Sequence, residues 1–286
     1  MHDAEASLPL RPAARRLHRK GPEVQILVCV KQVPDTEAKV VVAEDGVSIS
    51  ERDITFIMNP YDEFAVEAAV RIKEASSEDV SISLVTVGPP RADDALRLGL
   101  AMGAGSAARV WDQGLEGLDG GAVATVLGVV AQRAGFDLIL CGRIAIDDAM
   151  GEVPLRLAAR LGLPHANAVT ELTVENGSAR ARCEVEGGSQ VIELKLPAVI
   201  TAQKGLNEPR YPAIPAIMKA RRMPIEVHTL ESLGLDPAQV RAASRTHVDG
   251  LDVPPSRGAG RVIEADSPDE AARELARLLR DEAKVL

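Results

Sequence analysis

Apolar residues in this chain come in short solid runs, separated by longer stretches in which every third or fourth position is apolar. Gln25 to Lys31, QILVCVK, is a nearly unbroken apolar run, the mark of a central parallel strand buried on both faces. Val80 to Val87, Ala107 to Trp111, Phe136 to Gly142 and Ile225 to Leu230 read as further strands, and Ala198 to Ile200 as a buried one that starts at Pro197. Between them Ala65, Ala68, Ala69 and Ile72 make one apolar stripe at helical spacing, Arg91 to Met102 reads as a second helix, and an Ala/Val-rich helix ends near Arg133. Strand and helix alternate, which predicts an α/β fold with a doubly wound, mostly parallel sheet and right-handed crossovers. Two β-hairpins are added to it, one over Lys39 to Ser50 around Glu44-Asp45-Gly46. The other joins Pro164 to Val174 with Ala179 to Leu196 through Glu175-Asn176-Gly177-Ser178.

Four polar stretches interrupt this pattern where chemistry is expected. Gln32 to Thr36 is a turn at the carboxyl edge of the first strand, the edge where open α/β sheets bind ligands. Asn59 stands before Pro60, Tyr61, Asp62 and Glu63, as a helix N-cap ahead of a proline and two acids. Arg143 to Pro154, RIAIDDAMGEVP, follows a strand and opens a helix, so free backbone N–H groups there could meet an anionic phosphate. Its Asp147-Asp148 pair could instead hold a divalent metal, but no further acids lie at ligand spacing and no metal site is assigned. Gly103-Ala104-Gly105 imitates a dinucleotide fingerprint in the wrong context, after a helix and before a strand.

The fourth stretch runs from Leu196 to Ala220. Its strand breaks at Lys204-Gly205, Leu206 is a single large apolar residue in a polar loop, and Pro209, Pro212 and Pro215 stiffen the chain before a helical pattern resumes at Ala216. A stiff loop presenting one leucine is suited to docking, although a leucine folded back on its own domain would look the same in sequence.

LNEPRY at 206–211, followed by P-x-I-M-K-A, resembles the signature of the beta subunit of electron-transfer flavoproteins. V-K-Q-V-P-D-T at 30–36, M-N-P at 58–60, R-L-G-L-A-M-G-A at 97–104, A-I-D-D at 145–148 and E-V-E-G-G at 184–188 extend the resemblance in collinear order from about Ile26 to Leu235. The resemblance implies a core of the adenine-nucleotide alpha hydrolase-like type. It places an adenine nucleotide at Val30, Asn59, Val87, Asp147, Asp148, Met150, Gly151, Glu152 and Val153, and sets Thr36 and Tyr61 near the flavin of a partner. It makes Leu206 the anchor of a recognition loop that includes Asn207, Glu208, Pro209, Arg210 and Tyr211. The nucleotide is AMP in ordinary members and a second FAD in electron-bifurcating ones. This chain departs from the pattern where the family shows another acid and then Gln, a small or β-branched residue and Gly. Here stand Ala149, Glu152, Val153 and Pro154, so a carboxylate replaces an amide and a proline removes an N–H. Ile144 takes a place usually held by Gln, and Cys183 one usually basic.

Composition narrows the picture further. A net charge of −9 with only three Phe, two Tyr and one Trp is no nucleic-acid footprint, and it leaves few rings to cover a flavin. A partner is therefore expected to supply most of any flavin pocket. Cys29, Cys141 and Cys183 are scattered and odd in number, and five histidines have no ligand spacing. No Walker loop and no catalytic triad can be assembled. Residues 1–24 read as a disordered extension without a signal or membrane-spanning pattern, 25–235 as the nucleotide-binding core, and 236–286 as a linker and helix, the whole cytoplasmic. That helix carries Ala271, Leu275, Leu278 and Leu279 on one face behind a Ser267-Pro268-Asp269-Glu270 capping box; the resemblance lays it on an alpha subunit.

The expectation is thus an electron carrier subunit with no acid–base chemistry of its own. It pairs with an alpha subunit that holds the FAD, accepts electrons from flavoprotein dehydrogenases resembling acyl-CoA dehydrogenases, and passes them to a quinone oxidoreductase. Two alternatives stand beside it: an electron-bifurcating subunit that binds a second FAD and oxidises NADH, and a non-redox adenine-nucleotide-binding protein.

Overall fold

The computed structural model describes residues 23–255 and 260–286. The extension expected over 1–24 lies outside the described residues except for its last two, which begin the first strand, and residues 256–259 of the linker lie outside as well.

Among the described residues nine strands form one sheet. In chain order they are β1 (Glu23–Cys29), β4 (Asp79–Val87), β5 (Ser106–Val110), β6 (Leu138–Gly142), β7 (His165–Glu175), β8 (Ser178–Val185), β9 (Gly188–Lys195), β10 (Ala198–Ala202) and β11 (Glu226–His228). Two short strands, β2 (Gln32–Pro34) and β3 (Phe56–Met58), pair with each other beside it. The spatial order is β11-β5-β4-β1-β6-β10-β7-β8-β9, parallel from β11 to β7 and antiparallel through the β7-β8-β9 extension. The chain leaves β1 to build β4 and β5 on one side and later returns to build β6 and β10 on the other. The topological switch therefore falls between β1 and β6, where a doubly wound sheet opens a crevice.

Helices cover both faces. α1 (Pro60–Ala75), α2 (Asp93–Met102) and α5 (Ile214–Arg222) pack on one, α3 (Gly120–Ala134), α4 (Val153–Leu161) and α6 (Pro237–Ala243) on the other. This double cover is why β6 and β10 are buried at every position and lack hydrophobic alternation. On β4 alternate residues go to opposite cores, Ile82 and Leu84 to one and Val85 to the other. All three cysteines are free and buried; Cys29 and Cys141 are register partners across β1 and β6, and their mutual hydrogen bond and burial push the Cys141 thiol well up. The remaining helix, α7 (Pro268–Asp281), is capped as its sequence foretells, Ser267 Oγ accepting from Glu270 N, yet it buries none of its residues.

Two local expectations need adjustment. The hairpin over Lys39 to Ser50 is short: an antiparallel bridge joins Val42 to Ile49, flanked by Ala43 N donating to Ser48 O and Ser50 N to Val41 O (both 2.8 Å), and pairing goes no further because Val40 and Val41 are about half exposed. Asn59 occupies the N-cap position of α1, but its side chain caps nothing in that helix. The Gly103 to Gly105 glycines are structural, closing α2 and turning into β5, with Gly103 at φ +134°.

Candidate nucleotide site and docking loop

The carboxyl ends of β1, β4 and β6 bring together the residues expected to meet a nucleotide. Val30 and Lys31 directly follow β1, Val87 ends β4, and residues 143–152 run from β6 to the start of α4. Asn59 holds this loop in place. Its backbone N–H donates to Lys31 O (2.9 Å), its Nδ2 donates to Ile144 O (2.9 Å), and its Oδ1 accepts from Ile146 N (3.2 Å). Asn59 is only 1 % exposed, so these bonds form in a dry place where an unpaired amide would be costly.

Asp62, one turn further along α1, is a site residue that local sequence reading missed. Its Oδ2 accepts from Lys31 N (2.7 Å) and its Oδ1 from Gly142 N (2.9 Å), tying together the two strands that flank the switch point. Any side chain at position 142 would overlap this carboxylate, since a Cβ there would stand 2.2 Å from Asp62 Oδ1 and 2.8 Å from Tyr61. Burial pushes the Asp62 carboxyl up to about 7 against the opposing pull of its hydrogen bonds. The signal for it was the acid after Asn-Pro-Tyr, which in isolation reads as a helix-dipole residue.

Beyond the strand ends the loop is strongly charged. Lys31 Nζ pairs with Asp147 (2.8 Å) and Asp148 (2.9 Å); burial works against the lysine's charge, but the two aspartates outweigh it and raise its pKa. Asp148 Oδ1 also accepts from Met150 N, the inward cap that lets two adjacent acids share a turn. Ala149 and Gly151 both take left-handed backbone, at φ +52° and +60°. Glu152 pairs with Arg156 one turn along α4 (2.8 Å). Among the described residues no cluster of His, Cys, Asp and Glu is arranged to hold a metal ion.

The adenosine part of an adenine nucleotide fits this edge. Val30 and Val87 stand at the ends of neighbouring strands beside the braced loop, and the backbone N–H groups of Gly151, Glu152 and Val153 lie at the start of α4. The phosphate part fits less well: Lys31 is already matched by Asp147 and Asp148, Arg156 by Glu152, and Pro154 has no N–H to give.

Thr36 is exposed in the turn after β2, and Tyr61 is half-buried next to Gly142. On the far side of Arg143 a cleft of about 330 Å³ is lined by Arg143, Glu184, Glu186 and Gln203. Glu184 there accepts from the Gln203 amide, joining the E-V-E-G-G turn to the end of β10.

The docking loop leaves β10 and turns at Gly205, whose φ of +95° demands glycine. Most of LNEPRY then lies along α1. Asn207 Nδ2 donates to Phe64 O (2.9 Å), and Arg71 donates to Glu208 O (3.1 Å). Arg210 forks over two carboxylates, reaching Glu67 (2.8 Å) and Glu74 (2.7 Å). Glu67 is 2 % exposed and binds Arg71 as well (2.8 Å); burial acts to raise its carboxyl, but the two guanidiniums outweigh burial and hold it below the usual range. Asn207 and Arg210 are therefore turned inward as fasteners. Leu206 is half-buried against the core under α1, so part of it folds back on its own domain. Tyr211 is 98 % exposed and Ile214 77 %, next to Met218 on α5, and these residues face outward.

Fold and site together define an α/β protein with a braced crevice at its switch point and a loop fastened along α1 beside it. Residues 46–233 match the family model described as the electron transfer flavoprotein domain. The chain is 39 % identical over 264 residues to the electron transfer flavoprotein subunit beta of Bacillus subtilis, covering 92 % of this chain and all of that protein. It is 37 % identical to the human subunit beta over 85 % of this chain and 93 % of that protein. It is 36 % identical to the caffeyl-CoA reductase-Etf complex subunit CarD of Acetobacterium woodii, over 90 % of this chain and 98 % of that protein. This chain belongs to the family of electron transfer flavoprotein beta subunits.

Proposed function

We propose that this beta subunit supports an FAD held mainly by an alpha subunit, with Thr36 and Tyr61 facing it. FAD supplies the electron-transfer chemistry. This chain supplies the platform: it closes over the flavin domain, keeps its own crevice rigid through Asn59 and Asp62, and brings a flavoprotein dehydrogenase of the acyl-CoA dehydrogenase type to the complex through Leu206 and Tyr211. A quinone oxidoreductase then takes the electrons, and the whole works in the cytoplasm. The observation that carries this reading is the fastening of LNEPRY along α1, which fixes the place of a half-buried leucine and holds out a tyrosine that is 98 % exposed. A non-redox adenine-binding protein has no use for that arrangement.

The alpha subunit also has a surface to meet. α7 stands off the core with Ala271, Leu275, Leu278 and Leu279 on one face, Leu275 being 48 % exposed, and an alpha subunit lying on that face would bury it. Among the described residues no helix is long and apolar enough to cross a membrane. Co-expression with a tagged electron transfer flavoprotein alpha subunit tests the proposal: the two chains should purify together as a yellow complex with about one tightly bound FAD. Recovery of the alpha subunit without this chain would refute it.

A further inference from the structure

The first turn of α3 lies against the first turn of α4, and the side chain of Glu152 fills the space between them. A Cβ placed on Gly120, the first residue of α3, would stand 2.4 Å from Glu152 Oε1 and 2.9 Å from both Cγ and Cδ. Only the missing side chain at Gly120 admits the carboxylate. Arg156 holds it from the other side through Nε (2.8 Å), and the same guanidinium reaches within 3.5 Å of the Cβ position of Gly121. The carboxylate thus has what a bound anion would seek, namely a cation and the positive ends of two helices. Asp119 already serves the next two amides of α3, its Oδ1 accepting from Gly121 N (2.9 Å) and Ala122 N (3.1 Å). Around the loop Lys31 is matched by Asp147 and Asp148 and Arg156 by Glu152, so both of these cations already have carboxylate partners before any ligand arrives.

We propose that Glu152 takes, with its own carboxylate, the place of a nucleotide phosphate, so that this chain retains no phosphorylated adenine nucleotide, neither AMP nor a second FAD. The inference rests on the adenine-crevice reading above and goes beyond it by assigning the crevice an internal occupant. A phosphate brought beside Glu152 meets like charge in a partly desolvated place and binds weaker by about a hundredfold than it would next to an amide. Glu152→Gln keeps the length and shape of the side chain, removes the repulsion and frees Arg156 for the ligand.

The test uses the heterodimer with its alpha subunit, wild type and Glu152→Gln. Nucleotides released by denaturation are separated chromatographically, and AMP is titrated into each protein by calorimetry. The expected result is one FAD and no AMP in the wild type, with a gain of about a hundredfold in AMP affinity in Glu152→Gln at unchanged FAD content. One AMP, or two FAD, per wild-type heterodimer would overturn the proposal, as would a Glu152→Gln protein that binds AMP no better than the wild type. None of these results would touch the proposed pairing with an alpha subunit, which fails if no FAD-bearing alpha subunit associates.

Discussion

The crevice loop and the docking loop leave the sheet side by side, after the adjacent strands β6 and β10, and both are fastened to α1 by different means. The amino end of the helix holds the crevice with groups that are buried and aimed at backbone: Asn59 at Ile144 and Ile146, Asp62 at Lys31 and Gly142. Its later turns hold the docking loop with charge on charge, through Glu67, Arg71, Glu74 and Arg210, largely at the surface. A ligand crevice needs strand ends fixed at short range, which backbone hydrogen bonds in a dry environment provide. A loop that must meet another protein has to stay outside, where only multidentate ion pairs hold a fixed geometry against water. One helix thus fastens both loops, and a change in one fastening should leave the other intact.

The largest expected effect is at Asp62. Asp62→Ala strands two buried N–H groups and should cost about 3 kcal/mol in stability, seen as a fall of roughly 5–10 °C in melting temperature. The pH dependence sharpens this. The folded-state carboxyl is raised from 3.8 to about 7, so the folded protein holds that proton more tightly than the unfolded chain does. Its contribution is present in full below pH 3.8 and is lost as pH rises through 7, and Asp62→Asn should flatten that part of the stability profile.

Glu67 should behave in the opposite sense. Glu67→Gln unpairs two arginines that are partly in water, so the cost is smaller, about 1–2 kcal/mol, and the crevice should be untouched. Its folded-state carboxyl lies below 4.5, so its stabilisation is present above that pH and is lost as pH falls through the depressed value. The readout that separates a positioning role from mere stability is kinetic: a higher KM for the dehydrogenase at unchanged FAD content. A melting curve lowered without any change in KM would mean that the fastening does not position the docking loop.

Much of this was legible in the residues. The fully buried strands, the stripe on α1 and the hairpin at Asn176-Gly177 follow from period and turn chemistry alone, and LNEPRY marks its loop without help. Pairings between distant residues could not be read. Asp62 and Gly142 are 80 positions apart, and nothing near either announces the other. Asn59 and Arg210 carry side chains that suit a cap and a docking contact equally well; the packing of α1 turned both to fastening. Glu152 was visible as a departure, but its resting place against Gly120 depends on how α3 meets α4. The 39–50 hairpin forms but stays short for the converse reason, since alternation extends pairing only where a core exists to receive one face.

The proposed function stands or falls on α1 presenting a docking loop whose working residue is Leu206. A direct test follows flavin absorbance while an acyl-CoA dehydrogenase and its substrate reduce the heterodimer. Wild-type protein should be reduced, and Leu206→Ala, with the same FAD content and fold, should be reduced at least about tenfold more slowly, a loss near 1.4 kcal/mol. Equal rates for the two proteins would show that Leu206 is not the anchor.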